Sequence, residues 1–258
     1  MMQKQTDYRV TAVALLTYVI LIAVADNVLV AVFEFPDILR ESAEYRLTLF
    51  AQNSSIIVPM YYLFMLTGLI QIVMSVMLHE SFNERSSLAT MTVVFGILTG
   101  IFQVLGFIRW PVAIPFFVEA MNNGVPMETI AFVEGVLNRY AGMAIGEHLG
   151  FVAQAVWTTL LSIMILRHKL FDRRLGWAGL IMGLLTFPMS MEPLGGFWNI
   201  FGALTLPLLA AWAIWLLVLA VSLLRTDPRT QEGVKVGWKT AVATTLFWAL
   251  MVVPAYMG

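Results

Sequence analysis

The chain contains no cysteine, and only 12% of its 258 residues are charged. Without cysteine there is no disulfide, no thiolate metal site and no cysteine nucleophile. Soluble domains carry about 25% charged residues, so this chain lacks the charge for an ordinary water-facing surface. A formal net charge of −1 offers no basic face for nucleic acid. His-Glu-x-x-His, Walker A and Gly-x-Ser-x-Gly are absent, which removes three common enzyme signatures. Histidine is scarce too: His79 and His168 fall at predicted helix ends, which argues against a bis-histidine haem. Lys239 sits at the edge of the last apolar stretch, so no buried lysine is placed for a retinal Schiff base. No metal and no cofactor is expected.

What is present is apolar. Hydrophobic residues make up 60% of the chain, and the mean hydropathy is +0.83. A membrane span needs about 20 mostly apolar residues. Seven stretches meet or approach that length: 9–33, 54–78, 88–109, 143–166, 174–192, 198–225 and 237–256. The fifth is the shortest and carries Pro188. The predicted fold is all-α: one polytopic transmembrane helical bundle over 1–258, a six-span core plus a C-terminal span, with the lipid bilayer as its main partner. Lys4, Arg9 and "AVA" at 23–25 resemble a signal peptide. The apolar run continues through "NVLVAVF" to spanning length, so the segment is expected to remain as a first helix.

Basic residues set the expected orientation, because cytoplasmic loops retain them. Eleven of the fifteen Lys and Arg fall in the N-terminal tail, 79–87, 167–174 and 225–239. The other side holds Arg40, Arg46, Arg109 and Arg139. The N-terminus is therefore expected in the cytoplasm and the C-terminus outside, and "RHKLFDRR" at 167–174 reads as a cytoplasmic anchor. The outer side carries most of the acid and both long connections, 34–53 and 110–142. Within the second, "METIAFVEGVLNRY" places Ile130, Val133, Val136, Leu137 and Tyr140 on one helical face, with Glu128, Glu134 and Arg139 away from it. That pattern predicts interfacial helices, with "PVAIPFFVEAM" too short to cross.

A charge deep in the bilayer costs about 2.5–3.5 kcal/mol on insertion scales, so each ionisable group inside a span invites a role. Asp26 stands beside Asn27 in the first span, and Arg109 ends the third. Glu147 and His148 begin the fourth, Glu192 ends the fifth, and Asn199 begins the sixth. All fall at the same outer depth under the expected orientation. Gly142, Gly146 and Gly150 recur every fourth residue, as do Gly96 and Gly100, a spacing that lets helix backbones approach closely. Glu147, Gly150, Phe151, Gln154 and Thr158 share one helical face, so Glu147 is expected to point into the bundle at the head of a polar stripe. Gln71, Gln103 and Gln154 read first as interhelical glue. Asp26, Arg109 and Glu147 have two readings: a salt bridge between Glu147 and Arg109 that sets helix register, or a binding or proton-handling site. His148 lies about 100° around the helix from Glu147 and is the weaker candidate.

The stretches "GILTGIFQVLGFIRWPVAIPFF" and "GEHLGFVAQAVWTTLLSIMILRHKLFDRRLGWAGLIMG" resemble a bacterial multi-pass membrane family known only as domain of unknown function 4386. The matching features are Arg109-Trp110-Pro111 after a glycine-spaced helix, Gly146-Glu147-His148-Leu149-Gly150, Trp157, and Leu175-Gly176-Trp177. The resemblance implies a bacterial cytoplasmic-membrane setting and no particular activity. Three classes of function remain open. An outward-facing polar pocket would bind a small ligand, an ion or a lipid headgroup. A membrane enzyme would use Glu147 as acid or base and Arg109 to stabilise negative charge on a lipid-soluble substrate. A structural or accessory subunit would use the same charges as internal salt bridges.

Overall fold

The computed structural model describes residues 2–227, 229 and 232–256. Among them there is no strand, and the order is entirely helical. Helix α1 (Met2–Phe33) leads through a 3-10 turn, Asp37–Arg40, to α2 (Ala43–Phe82), whose first turn is capped by Ser42 accepting from the Tyr45 amide at 3.2 Å. Forty helical residues extend about 60 Å, twice the hydrocarbon thickness of about 30 Å. Helix α2 accordingly bends, at Asn53 (φ −123°, ψ 17°), ahead of Pro59. The proline has no N–H for the carbonyl four residues earlier and its ring crowds that turn. The helix stops at Asn83, whose φ of 52° lies in the left-handed region that asparagine tolerates.

The return path is again longer than a bilayer. Helices α3 (Ser87–Phe107), α4 (Arg109–Val112) and α5 (Ile114–Asn122) form one apolar run of 36 residues. After a turn at Gly124 (φ 80°), α6 (Met127–Leu137), a π-helical segment (Asn138–Leu149) and α7 (Gly150–Arg167) form a second run of 41. Helix α8 (Arg173–Met189) has only 17 residues and carries Pro188 in its last turn. Two 3-10 stretches, Glu192–Leu194 and Gly196–Leu204, lead into α9 (Thr205–Arg225), and α10 (Trp238–Tyr256) packs against α1 and α9. Five runs are long and apolar enough to cross a membrane: Lys4–Phe33, Ala43–Phe82, Ser87–Asn122, Met127–Arg167 and Gly196–Arg225. Large apolar side chains such as Val13, Val24, Ile101, Ile181 and Leu184 lie exposed on the outside of the bundle, as lipid contact requires. The chain is an all-α polytopic membrane bundle.

Two apolar cores divide the bundle along its length. The proximal core, at the N-terminal end of α1, gathers Tyr8, Leu15, Tyr18, Met74, Leu78, Trp157, Met164, Trp212 and Leu216. The distal core gathers Leu29, Phe33, Ile38, Leu47, Phe50, Tyr61, Trp110, Phe117 and Ile130. Glycines hold α3 against both neighbours. A Cβ on Gly68 of α2 would stand 2.8 Å from the Gly100 carbonyl, and one on Gly106 would stand 2.7 Å from the Gly146 Cα. Gly96 leaves room for Ser75 and Trp157. Gly150 makes only ordinary contacts at 3.7 Å, so the tight approach in the fourth span is made by Gly146.

One sequence expectation, the orientation of Glu134, is corrected here. The connections 34–53 and 110–142 are largely helical: α2 begins within the first at Ala43, and α4, α5 and α6 occupy most of the second. On 127–140 the apolar residues Val133, Val136 and Tyr140 are exposed on the outside, whereas Glu134, expected to turn outward, is only 1% exposed. The soluble-protein rule of apolar in, polar out is reversed there because Glu134 has a buried partner.

Candidate polar site in the distal half

The three charged residues that are buried among the described residues, Arg46, Arg109 and Glu134, all lie in the distal half. Each comes from a different helix. Arg46, one turn into α2, meets Glu134 of α6 through two hydrogen bonds, Nη2 to Oε2 at 2.6 Å and Nε to Oε1 at 3.3 Å, with its remaining edge on the Glu41 carbonyl. The guanidinium fork matches the carboxylate, which makes such a pair both strong and directional.

A second, half-exposed cluster lies beside it. Arg40, on the 3-10 turn, donates to Glu147 Oε2 at 2.6 Å and to Glu192 Oε2 at 2.7 Å. Burial pulls the Arg40 guanidinium down, but hydrogen bonds and charge from Glu147 and Glu192 more than offset it, so its pKa stands above the usual arginine value. One side chain thus fastens the connection after α1, the π-helical segment and the turn after α8. His148 adds a second tie from the same segment: Nδ1 donates to the Ser190 carbonyl at 2.8 Å.

Arg109 is 7% exposed and has different surroundings. Its Nη1 donates to the Gly106 carbonyl and its Nη2 to Asn138 Oδ1 at 3.2 Å, both neutral acceptors. Gly142 is bare because of it: a Cβ there would lie 2.6 Å from Nη2. The guanidinium lies 5.1 Å from the Trp110 ring, and Tyr61 stacks on that ring at 4.6 Å with an interplanar angle of 13°. Arg109 Nε, Trp110 Nε1 and the Tyr61 hydroxyl are buried and have no hydrogen-bond partner. The expected Glu147–Arg109 salt bridge is therefore not made; Arg40 takes Glu147 instead.

The remaining candidates are placed as follows. Asp26 is half-buried on α1, and Asn27 donates back to the Ala23 carbonyl of its own helix at 2.7 Å. Gln154 is buried on α7, two turns proximal to Glu147. Glu192 belongs to the Arg40 cluster, whereas Asn199 is exposed on the second 3-10 stretch. Sequence reasoning counted Arg40 and Arg46 only toward orientation and turned Glu134 outward. Opposite charges concentrated in the same connections were the signal that these groups pair.

Antiparallel apolar helices with buried charges at one end define a multi-pass integral membrane protein. Residues 10–225 match a family described as Domain of unknown function (DUF4386), and the chain belongs to that family. No curated protein and no solved structure matches the chain.

Proposed function

We propose that the protein is a membrane-embedded binding protein whose distal polar cluster receives a small ligand, an ion or a lipid headgroup from the outer face. One observation supports this reading above the others: all the buried charges among the described residues stand in one half. Ionisable groups at membrane depth are costly, and their concentration is the mark of a site rather than of uniform packing. The eleven basic residues of the proximal end support placing that end in the cytoplasm of a bacterial cell, with the cluster facing out. The Arg46–Glu134 pair favours a structural part within the same cluster, because it is closed on itself.

The binding reading is tested by native mass spectrometry of protein extracted in a mild detergent. A mass adduct carried by the wild type and lost in Arg40→Gln, at a similar melting temperature, supports it. A wild type without any adduct, whose melting temperature no headgroup, ion or metabolite raises, refutes it. Orientation is tested with single cysteines at Ser87 and Asn123, both exposed, since the chain has no others. An impermeant thiol reagent applied to intact cells should label position 123; labelling only at 87 would reverse the sidedness.

A further inference from the structure

We infer that the ligand of this cluster is anionic, and that Arg109, with Trp110 and Tyr61, binds its phosphate-type oxygens. This rests on the binding reading above and specifies the chemistry of the ligand. Three observations carry it. Arg109 has no carboxylate within salt-bridge distance among the described residues, while Arg46 and Arg40 each have one or more. Its Nη edge is closed by Gly106, Asn138 and Gly142, but Nε is unpaired. Trp110 Nε1 and the Tyr61 hydroxyl are likewise buried and unpaired; the guanidinium lies 5.1 Å from the Trp110 ring, on which Tyr61 stacks. Buried donors without acceptors are costly, and an unpaired guanidinium is the side chain best matched to a phosphate-type oxyanion.

Depth agrees. Arg109 follows Ser87 by 22 residues, about 33 Å of helix, against a hydrocarbon core of about 30 Å. That is the level of phospholipid headgroups, and a free phosphate ester from the outer solution would supply the same oxygens. Arg40 has a part in this without touching the ligand. By holding Glu147 and Glu192 together, it keeps the Glu147 carboxylate off Arg109, so that the oxyanion meets a guanidinium not already paired.

The test uses the full chain in dodecyl maltoside, a phosphate-free detergent. Melting is followed with inorganic phosphate against chloride at equal ionic strength, and with dioleoylphosphatidylglycerol against the phosphate-free monogalactosyldiacylglycerol. Stabilisation by inorganic phosphate identifies a soluble source, and stabilisation by the phospholipid alone identifies a headgroup. Tyr61→Phe and Trp110→Phe keep the ring stack and remove one donor each, and should weaken the apparent affinity about tenfold. Gly142→Ala displaces the guanidinium without changing charge and should do the same. Arg40→Gln should weaken binding by freeing Glu147 for Arg109, and Glu147→Gln in that background should restore it, a rescue that a merely structural role would not produce. Unchanged affinity in both Tyr61→Phe and Trp110→Phe, or equal melting with and without phosphate groups, overturns the assignment. A neutral or cationic native adduct would overturn the anion while leaving the binding reading intact.

Discussion

The proximal and distal halves of this bundle solve the same problem differently. Both must bury polar groups in a low-dielectric interior. In the proximal half the buried polar side chains are neutral and mostly bond within their own helix. Thr92 donates to the Leu88 carbonyl, Thr99 to Phe95, Ser162 to Thr158 and Ser222 to Val218, each four residues back. Trp212 Nε1 donating to Thr158 at 3.0 Å is one of the few side-chain bonds there that join separate helices. Such bonds need no tertiary coincidence, because the helix that carries the donor also carries the acceptor. In the distal half the charges bond across the chain, and each pair waits for two distant segments to meet. The proximal half therefore tolerates the loss of a polar group, and the distal half does not.

The largest effect should come from the buried ion pair. Arg46→Gln or Glu134→Gln strands one charge and should cost about 3–5 kcal/mol in chemical unfolding in detergent. The double change should recover part of it, because no lone charge remains. Strictly additive losses would show that the two side chains do not depend on one another. Next comes the backbone contact between α3 and the π-helical segment. Gly146→Ala sets a Cβ 3.0 Å from the Gly106 Cα, where neither backbone can yield cheaply, and should cost about 1–3 kcal/mol. Gly150→Ala meets only ordinary contacts and should be neutral or slightly stabilising, since alanine suits a helix better than glycine. Similar losses at both positions would erase the distinction between a seam and a spacing.

Two smaller effects sharpen the contrast. Arg40→Gln removes a guanidinium that is 42% exposed, so its stability cost should stay at or below about 1 kcal/mol, despite the two carboxylates it joins. A cost equal to that of Arg46→Gln would mean the two clusters share one degree of burial. Smallest of all, Thr158→Val keeps the side-chain shape and releases only Trp212, for about 0.6 kcal/mol on the average of membrane hydrogen bonds. A loss of several kcal/mol there would place the proximal half under the same constraint as the distal one.

Several features were legible without coordinates. Long apolar runs require helices, because a chain in lipid must satisfy its own backbone, and this sequence has little else. Glycines in "AGMAIGEHLG" announced a close approach, and Glu147 announced a polar group at the end of a span. What they met was not legible. Glu147 meets Arg40 across 107 residues, Glu192 meets it across 152, and Glu134 meets Arg46 across 88. Periodicity reports which face of a helix is polar; it carries no record of what that face will find.

The amino-acid sequence by itself thus determined the membrane class, the helical content and the end of the bundle where charge collects, because hydropathy and backbone hydrogen bonding act locally along the chain. Only the tertiary structure decided that Arg40, rather than Arg109, takes Glu147, that Glu134 turns inward, and that Arg109 is left among unpaired donors. Those outcomes depend on the bend at Asn53, the length by which the helices overrun the bilayer, and the contact of Gly106 with Gly146, which together set which distant charges come within hydrogen-bonding distance.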